Sequence, residues 1–210
     1  MKLTGLRGSI NYLFEWVVTL AWLNTLWLLF TIGGMVLFGW APATIAMLTV
    51  LRKIYHEKNF DVAMFKTFLH AFKANFITAN GLSLVFLLVF GFIGSGMLTL
   101  RYLPSSLFIV MSILYTIIIS LLFIVFLFVF PAFTHYQTTF INYFKYALLI
   151  GLAHFHYALF MILVFVLTYF LFSAFPGLLL FFAVSIPGAL MMKLALTVFT
   201  RVDVYQASAN

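Results

Sequence analysis

Residues 39–53 read GWAPATIAMLTVLRK, and whether they cross a bilayer decides how the whole chain is threaded. Their apolar part, Pro42 to Leu51, is about half of the roughly 20 residues that a helix needs to traverse about 30 Å of hydrocarbon. Pro42 suits a first helical position, because the N–H it lacks is one that the first turn leaves unpaired anyway. Upstream, Gly33, Gly34 and Gly39 break the chain into a hairpin. A short helix is therefore expected from Pro42 toward Tyr55.

Outside this segment, five stretches reach full spanning length: Leu13 to Phe38, Ile77 to Leu98, Leu107 to Phe130, Leu148 to Phe170, and Leu178 to Phe199. Basic residues decide between five and six crossings. If 42–55 crosses and the N-terminus is cytoplasmic, then Lys2, Arg7, Arg52, Lys53, Lys58, Lys66, Lys73, Lys145, Lys193 and Arg201 face the inside, leaving Arg101 outside. If it does not cross, Lys2 and Arg7 join Arg101. The positive-inside rule favours the first arrangement. The expectation is an all-α transmembrane bundle forming one integral membrane domain over 1–210. It has six crossings at 13–38, 42–55, 77–98, 107–130, 148–170 and 178–199, and both termini are cytoplasmic.

Composition agrees. Only 7% of the 210 residues are charged and 66% are hydrophobic, against about 25% charged in an ordinary soluble domain. A soluble enzyme, a nucleic-acid-binding domain and a disordered tail are excluded. The net charge of +7 is read as cytoplasmic loops beside an anionic inner leaflet rather than as a nucleic-acid surface. No cysteine is present, which removes disulfides, thiolate nucleophiles and thiolate metal sites. The first apolar run is too long for a signal-peptide core and lacks a small-residue cleavage site.

Two segments between the spans are amphipathic. In 61–76, Val62, Phe65, Leu69, Phe72 and Phe76 share one face, with Lys66, His70 and Lys73 on another. In 133–147, Phe133, Tyr136, Phe140, Phe144 and Ala147 oppose Thr134, Thr138, Asn142 and Lys145. Both are expected to lie flat at the inner leaflet, aromatic side in the acyl boundary, or else to meet a protein partner. They share the pattern Thr-Phe-x-x-x-Phe-Lys at 67–73 and 139–145, a weak internal repeat.

Chemistry within the membrane is sparse. Glu15, Glu57, Asp61 and Asp203 all fall near the inner side or in loops, and no carboxylate pair faces another in hydrocarbon. His154 and His156 lie about 200° apart on a helix, so one face cannot present both to a metal. Lys193 can snorkel to the interface. No catalytic, cofactor-binding or metal-ligating set is expected, and the chain is read as no enzyme. The polar residues within the spans are neutral. Ser112, Thr116 and Ser120 form an i, i+4, i+8 stripe, and Gly91 with Ser95 forms a small-xxx-small pair, both suited to close helix packing. Asn24 lies mid-span, to be satisfied by another helix or to line a polar path. Pro187-Gly188 is expected to kink the last span.

The order of these features resembles the YesL-like integral membrane proteins, a bacterial family of unassigned function. The residues that carry the resemblance are Trp22 to Leu29, then Gly39-Trp40-Ala41-Pro42-Ala43-Thr44, where the family pattern has Gly-Pro-Ala-Thr. They continue with Leu51-Arg52-Lys53, Phe68-x-x-x-Phe72-Lys73-x-Asn75-Phe76, Phe130-Pro131 and Phe144-Lys145-x-Ala147-Leu148. The resemblance covers roughly residues 10 to 200. It implies an inner-membrane protein encoded beside carbohydrate ABC importers, and it supplies no catalytic residues. Because the chain lacks the Glu-Ala-Ala loop by which such permeases engage their ATPase, the expectation is a non-enzymatic accessory subunit. The alternative is a stand-alone transporter or channel for a small neutral solute. Contact with importer subunits or anionic lipid is assigned to Pro42, Arg52, Lys53, Lys66, Phe72, Lys73, Asn75, Phe144 and Lys145. The intramembrane polar candidates are Asn24, Ser112, Thr116 and Ser120.

Overall fold

The computed structural model describes residues 6–60 and 62–209, with the side chains of 6–9, 101 and 205–209 outside that description. Lys2 and Asp61, with the side chains of Arg7 and Arg101, therefore lie outside the described residues. The described chain is helical: α1 (Leu6–Gly33), α2 (Trp40–Glu57), α3 (Met64–Thr99), α4 (Ser105–His135), α5 (Phe140–Ala153), α6 (Phe155–Ala174), the short α7 (Leu179–Phe182) and α8 (Ser185–Ala209). Five helices are long and apolar enough to cross a membrane: Ile10–Gly33, Met64–Thr99, Ser105–His135, Phe155–Ala174 and Ser185–Val204. The chain is a multi-pass membrane protein. The short helix α2 is not among the five, since Arg52, Lys53 and Glu57 crowd its last two turns.

At about 27 Å for 18 residues, α2 is the axis of the bundle. Ala41, Ala43, Ile45, Ala46, Met47, Leu48, Val50 and Leu51 are fully buried, enclosed by α1, α3, α4 and α8. The three alanines let neighbouring backbones come close, as small residues do wherever lipid supplies no hydrophobic drive. A helix apolar around most of its circumference belongs at a core, and here it needs little contact with lipid.

The turn before α2 depends on glycine. A Cβ at Gly34 would run into the Cα of Gly39, and one at Gly39 would meet the carbonyl oxygen of Thr31. Between them Met35 and Val36 have φ of 58° and 63°, a strained region for a β-branched residue. This turn makes α2 antiparallel to α1: Trp16 lies 5.2 Å from Tyr55, and the Trp27 indole donates to Thr44 Oγ1 at 2.9 Å. Lys58, at φ 51°, ends α2 in the left-handed conformation.

Several expected boundaries are corrected. The break anticipated between a flat helix at 61–76 and a span from Ile77 is absent, because α3 runs unbroken for 36 residues. Its aromatic stripe packs on protein: Phe68 is buried, and Phe30 of α1 meets Phe68 at 5.1 Å and Phe72 at 4.9 Å. The second expected flat helix, 133–147, is also not formed as such. The helix α4 continues through Pro131 to His135, residues 136–139 are extended, and α5 starts at Phe140. Proline costs little there because its absent N–H removes a single helical bond and the surrounding helices enclose the site. The expected span 148–170 is divided at His154, where the backbone leaves the helical region and separates α5 from α6.

The last span departs most from expectation. Pro187-Gly188 does not kink a continuous helix; the break lies earlier, at 183–184, and Pro187 sits in the first turn of α8, where no N–H is required of it. The fully buried Asn24 spans this break. Its Nδ2 donates to Leu180 O at 2.9 Å, and its Oδ1 accepts from Val184 N at 3.0 Å and Ser185 N at 3.4 Å. One amide on α1 thus closes the end of α7 and caps the start of α8. Asn24→Leu, which leaves these backbone groups unpaired in apolar surroundings, should cost about 1–3 kcal/mol and lower the melting temperature in detergent. Thr25→Ala, whose hydroxyl bonds only along its own helix to Ala21 O, should stay within about 0.5 kcal/mol.

Candidate functional site

Polar side chains collect at one pole of the bundle, built from the start of α1, the end of α2, the end of α4 and the later turns of α8. Trp16 stacks on Tyr55 and meets Phe60 at 5.1 Å. Arg52 donates to the carbonyl oxygen of Thr134 in the last turn of α4, where unpaired carbonyls and the helix dipole favour a cation. Tyr55 donates to Ala189 O at 3.0 Å. Each contact ties α2 to a different helix.

Beside Arg52, the chain leaving α4 is held by α8. His135 Nε2 lies 3.0 Å from Asp203 Oδ2, and Tyr136 donates to Asp203 Oδ1 at 3.3 Å. Both rings rest on the buried Phe199, at 5.0 Å and 5.3 Å. Tyr143 of α5 donates to Tyr136 O at 3.3 Å, so α4, α5 and α8 meet at one residue. Burial first, then the nearby Asp203 charge, raise the Tyr136 phenol above its usual value of 10. Around it, a cleft of about 300 Å³ is lined by Tyr136, Tyr146, Leu149, Ile150, Ala153, His154 and Val202. Arg201 lies over the Tyr157 ring at 5.7 Å.

The contact candidates drawn from the sequence do not converge on one place. Pro42 is buried in the first turn of α2, at the opposite end from Arg52. Lys53 is exposed and forms a loose pair with Glu57 at 3.9 Å. Lys66, Lys73 and Lys145 are exposed, while Phe72 and Phe144 are half-buried on different neighbours, Phe30 and Phe86. Asn75 spends its amide on Ala71 O, one turn back in its own helix. Asn24 is fully buried with its amide bonded to the 180–185 backbone. Thr116 and Ser120 face outward with their hydroxyls bonded to Ser112 O and Thr116 O; Ser112 is half-buried.

The reading from residues alone missed the His135–Asp203–Tyr136 group. The signal was weak but present: a six-crossing arrangement puts 135 and 203 on the same side. What it could not supply was the lateral adjacency of α4 and α8.

The geometry fixes a pH dependence. A phenol whose folded value lies above its unfolded value contributes stability fully below pH 10 and loses it as pH rises beyond that. Melting temperature measured from pH 8 into the alkaline range should fall more steeply for the wild type than for Tyr136→Phe. Equal slopes would remove Tyr136 from the account.

The family model described as "Protein of unknown function, DUF624" matches residues 20–97, which covers the second half of α1, all of α2 and nearly all of α3. Among curated proteins of Bacillus subtilis (strain 168), the chain is 33% identical to YteU over 97% of its length and 90% of that protein. It is 35% identical to YesV over 93% of its length and 94% of that protein, and 31% identical to YesL over 65% of its length and 64% of that protein. All three bear the description "uncharacterized". No solved structure matches the chain. With a buried α2 opened by Gly39-Trp40-Ala41-Pro42 and relatives that align along nearly its whole length, the chain belongs to the YesL-like family of integral membrane proteins.

Proposed function

We propose that the chain crosses the bacterial inner membrane six times with both termini in the cytoplasm, and that it serves there as a non-enzymatic accessory subunit of a carbohydrate ABC importer. The six crossings rest on α2 running antiparallel to α1, as the Trp16–Tyr55 and Trp27–Thr44 contacts require. The cytoplasmic orientation rests on the basic residues, since Arg52, Lys53 and Lys58 stand at the end of α2 and Arg201 in the later turns of α8, helix ends that meet at the polar pole.

The observation that carries the subunit reading is the outward face of the α3–α4 hairpin. Gly91 and Gly94 have open space around them, and Thr116 and Ser120 are exposed with satisfied hydroxyls. In lipid, faces of small residues let helices associate closely, and Gly91, Gly94, Thr116 and Ser120 are all exposed. A carbohydrate importer is the partner class that the family resemblance implies. Enzymatic chemistry finds little support in the interior: the buried polar side chains among the described residues are Thr19, Asn24, Thr31, Thr134, Thr168 and Ser185, all neutral. The small-solute path loses the feature that suggested it, because Asn24 serves the 180–185 backbone.

Affinity purification from gently solubilised native membranes tests the proposal. The chain should bring down an importer membrane subunit, and a Ser112→Leu, Thr116→Leu, Ser120→Leu variant should lose it while melting at the wild-type temperature. Recovery of the wild-type chain alone would defeat the reading.

A further inference from the structure

We infer that the cleft beside the last two turns of α2 binds the anionic phosphodiester of a phospholipid headgroup. This site does not depend on importer association. The cleft, about 310 Å³, is lined by Thr49, Arg52, Lys53, His56 and Glu57. Positions 49, 52, 53 and 56 follow the i, i+3, i+4, i+7 spacing of a single helical face. They form a polar stripe on the helix whose other faces are the most deeply buried of the bundle.

Arg52 makes the stripe informative. A half-buried guanidinium is costly unless its charge is balanced, and the partner it has on another helix is the neutral carbonyl of Thr134. Within the cleft Glu57 makes only a loose pair with Lys53 at 3.9 Å, and Asp203 bonds to His135. One hydrogen bond to a carbonyl leaves other guanidinium donors for a ligand. Two permanently charged cations share this stripe of α2 with one carboxylate, and His56 adds a further nitrogen donor. A planar guanidinium fork with a mobile ammonium beside it is the donor set that phosphate oxygens accept best. Thr49 forms wall rather than ligand, because its hydroxyl hydrogen goes to Ile45 O at 2.7 Å.

Position selects the source of the phosphate. The cleft shares the end of α2 with Trp16, Tyr55 and Phe60, whose rings lie 5.1–5.2 Å apart, and such aromatic clusters sit at headgroup depth. Basic clusters at that depth attract anionic lipid headgroups. Lys53 and Glu57 are each about half exposed, so Lys53 can leave its loose pair and turn to a phosphate.

The test uses the full-length chain in phosphatidylcholine mixed micelles, with the unfolding temperature followed by tryptophan fluorescence while phosphatidylglycerol is titrated in. Phosphatidylglycerol should raise the midpoint. Lys53→Gln should demand about fivefold more of it, Arg52→Gln about tenfold more, and Glu57→Gln, which frees Lys53, less than the wild type. Should Arg52→Gln fail to fold, the opposite shifts of the two exposed-site variants still decide the matter. Identical titrations for wild type, Lys53→Gln and Glu57→Gln would overturn the site, as would no stabilisation by phosphatidylglycerol. Equal protection by soluble glycerol phosphate would overturn the lipid as its ligand.

Discussion

A backbone amide in hydrocarbon has no water to bond, so every interruption of a helix must be closed by protein. The chain interrupts its last span at 183–184 and meets that demand with the one buried amide side chain of α1. Asn24 offers a donor and an acceptor on the same planar group, which is what a carbonyl ending one helix and N–H groups starting the next require together. Once that bridge is formed, α1 and α8 are fixed in register. The space between them is then occupied by α2, and the closeness of Gly188 to Met47 follows.

From this register the rest of the bundle can be reasoned out. The helix α2 enters through a turn tight enough to press Gly34 on Gly39 and leaves among charged side chains. Its middle is greasy on all sides and its end is polar on one. That asymmetry puts Arg52 within reach of the end of α4, and the end of α4 within reach of Asp203. A layer of hydrogen bonds and stacked rings thereby joins the helix ends at one pole. The opposite region, where α3 and α4 form a hairpin turned at Leu100–Pro104, is held mainly by Phe86 against Phe126 and by Tyr115 over Gly96.

Much of this was legible from residue order. Long apolar stretches declared themselves by length, and the glycines at 33, 34 and 39 marked the hairpin. Boundaries were harder, for a physical reason. An amphipathic period looks the same whether its apolar face lies on lipid or on another helix, so Phe65 and Phe72 suggested a flat helix although both rings approach Phe30 of α1. Pro187 misled in a related way, since a proline marks strain only where a neighbour cannot make up the lost bond. The partner of Asn24 is 156 to 161 residues away, and the pairing of His135 with Asp203 is likewise a matter of which helices lie side by side. Periodicity along a chain carries no record of that.

The length of α3 has a consequence for the surrounding bilayer. Thirty-six helical residues extend about 54 Å, well beyond a hydrocarbon slab of about 30 Å, and the apolar part of α3 is tied to an equally greasy α4. Such a hairpin leans, projects, or makes the lipid around it thicken. The protein is thereby coupled to membrane thickness, and lipids of different chain length will change the energy of its tilt without touching a single ligand.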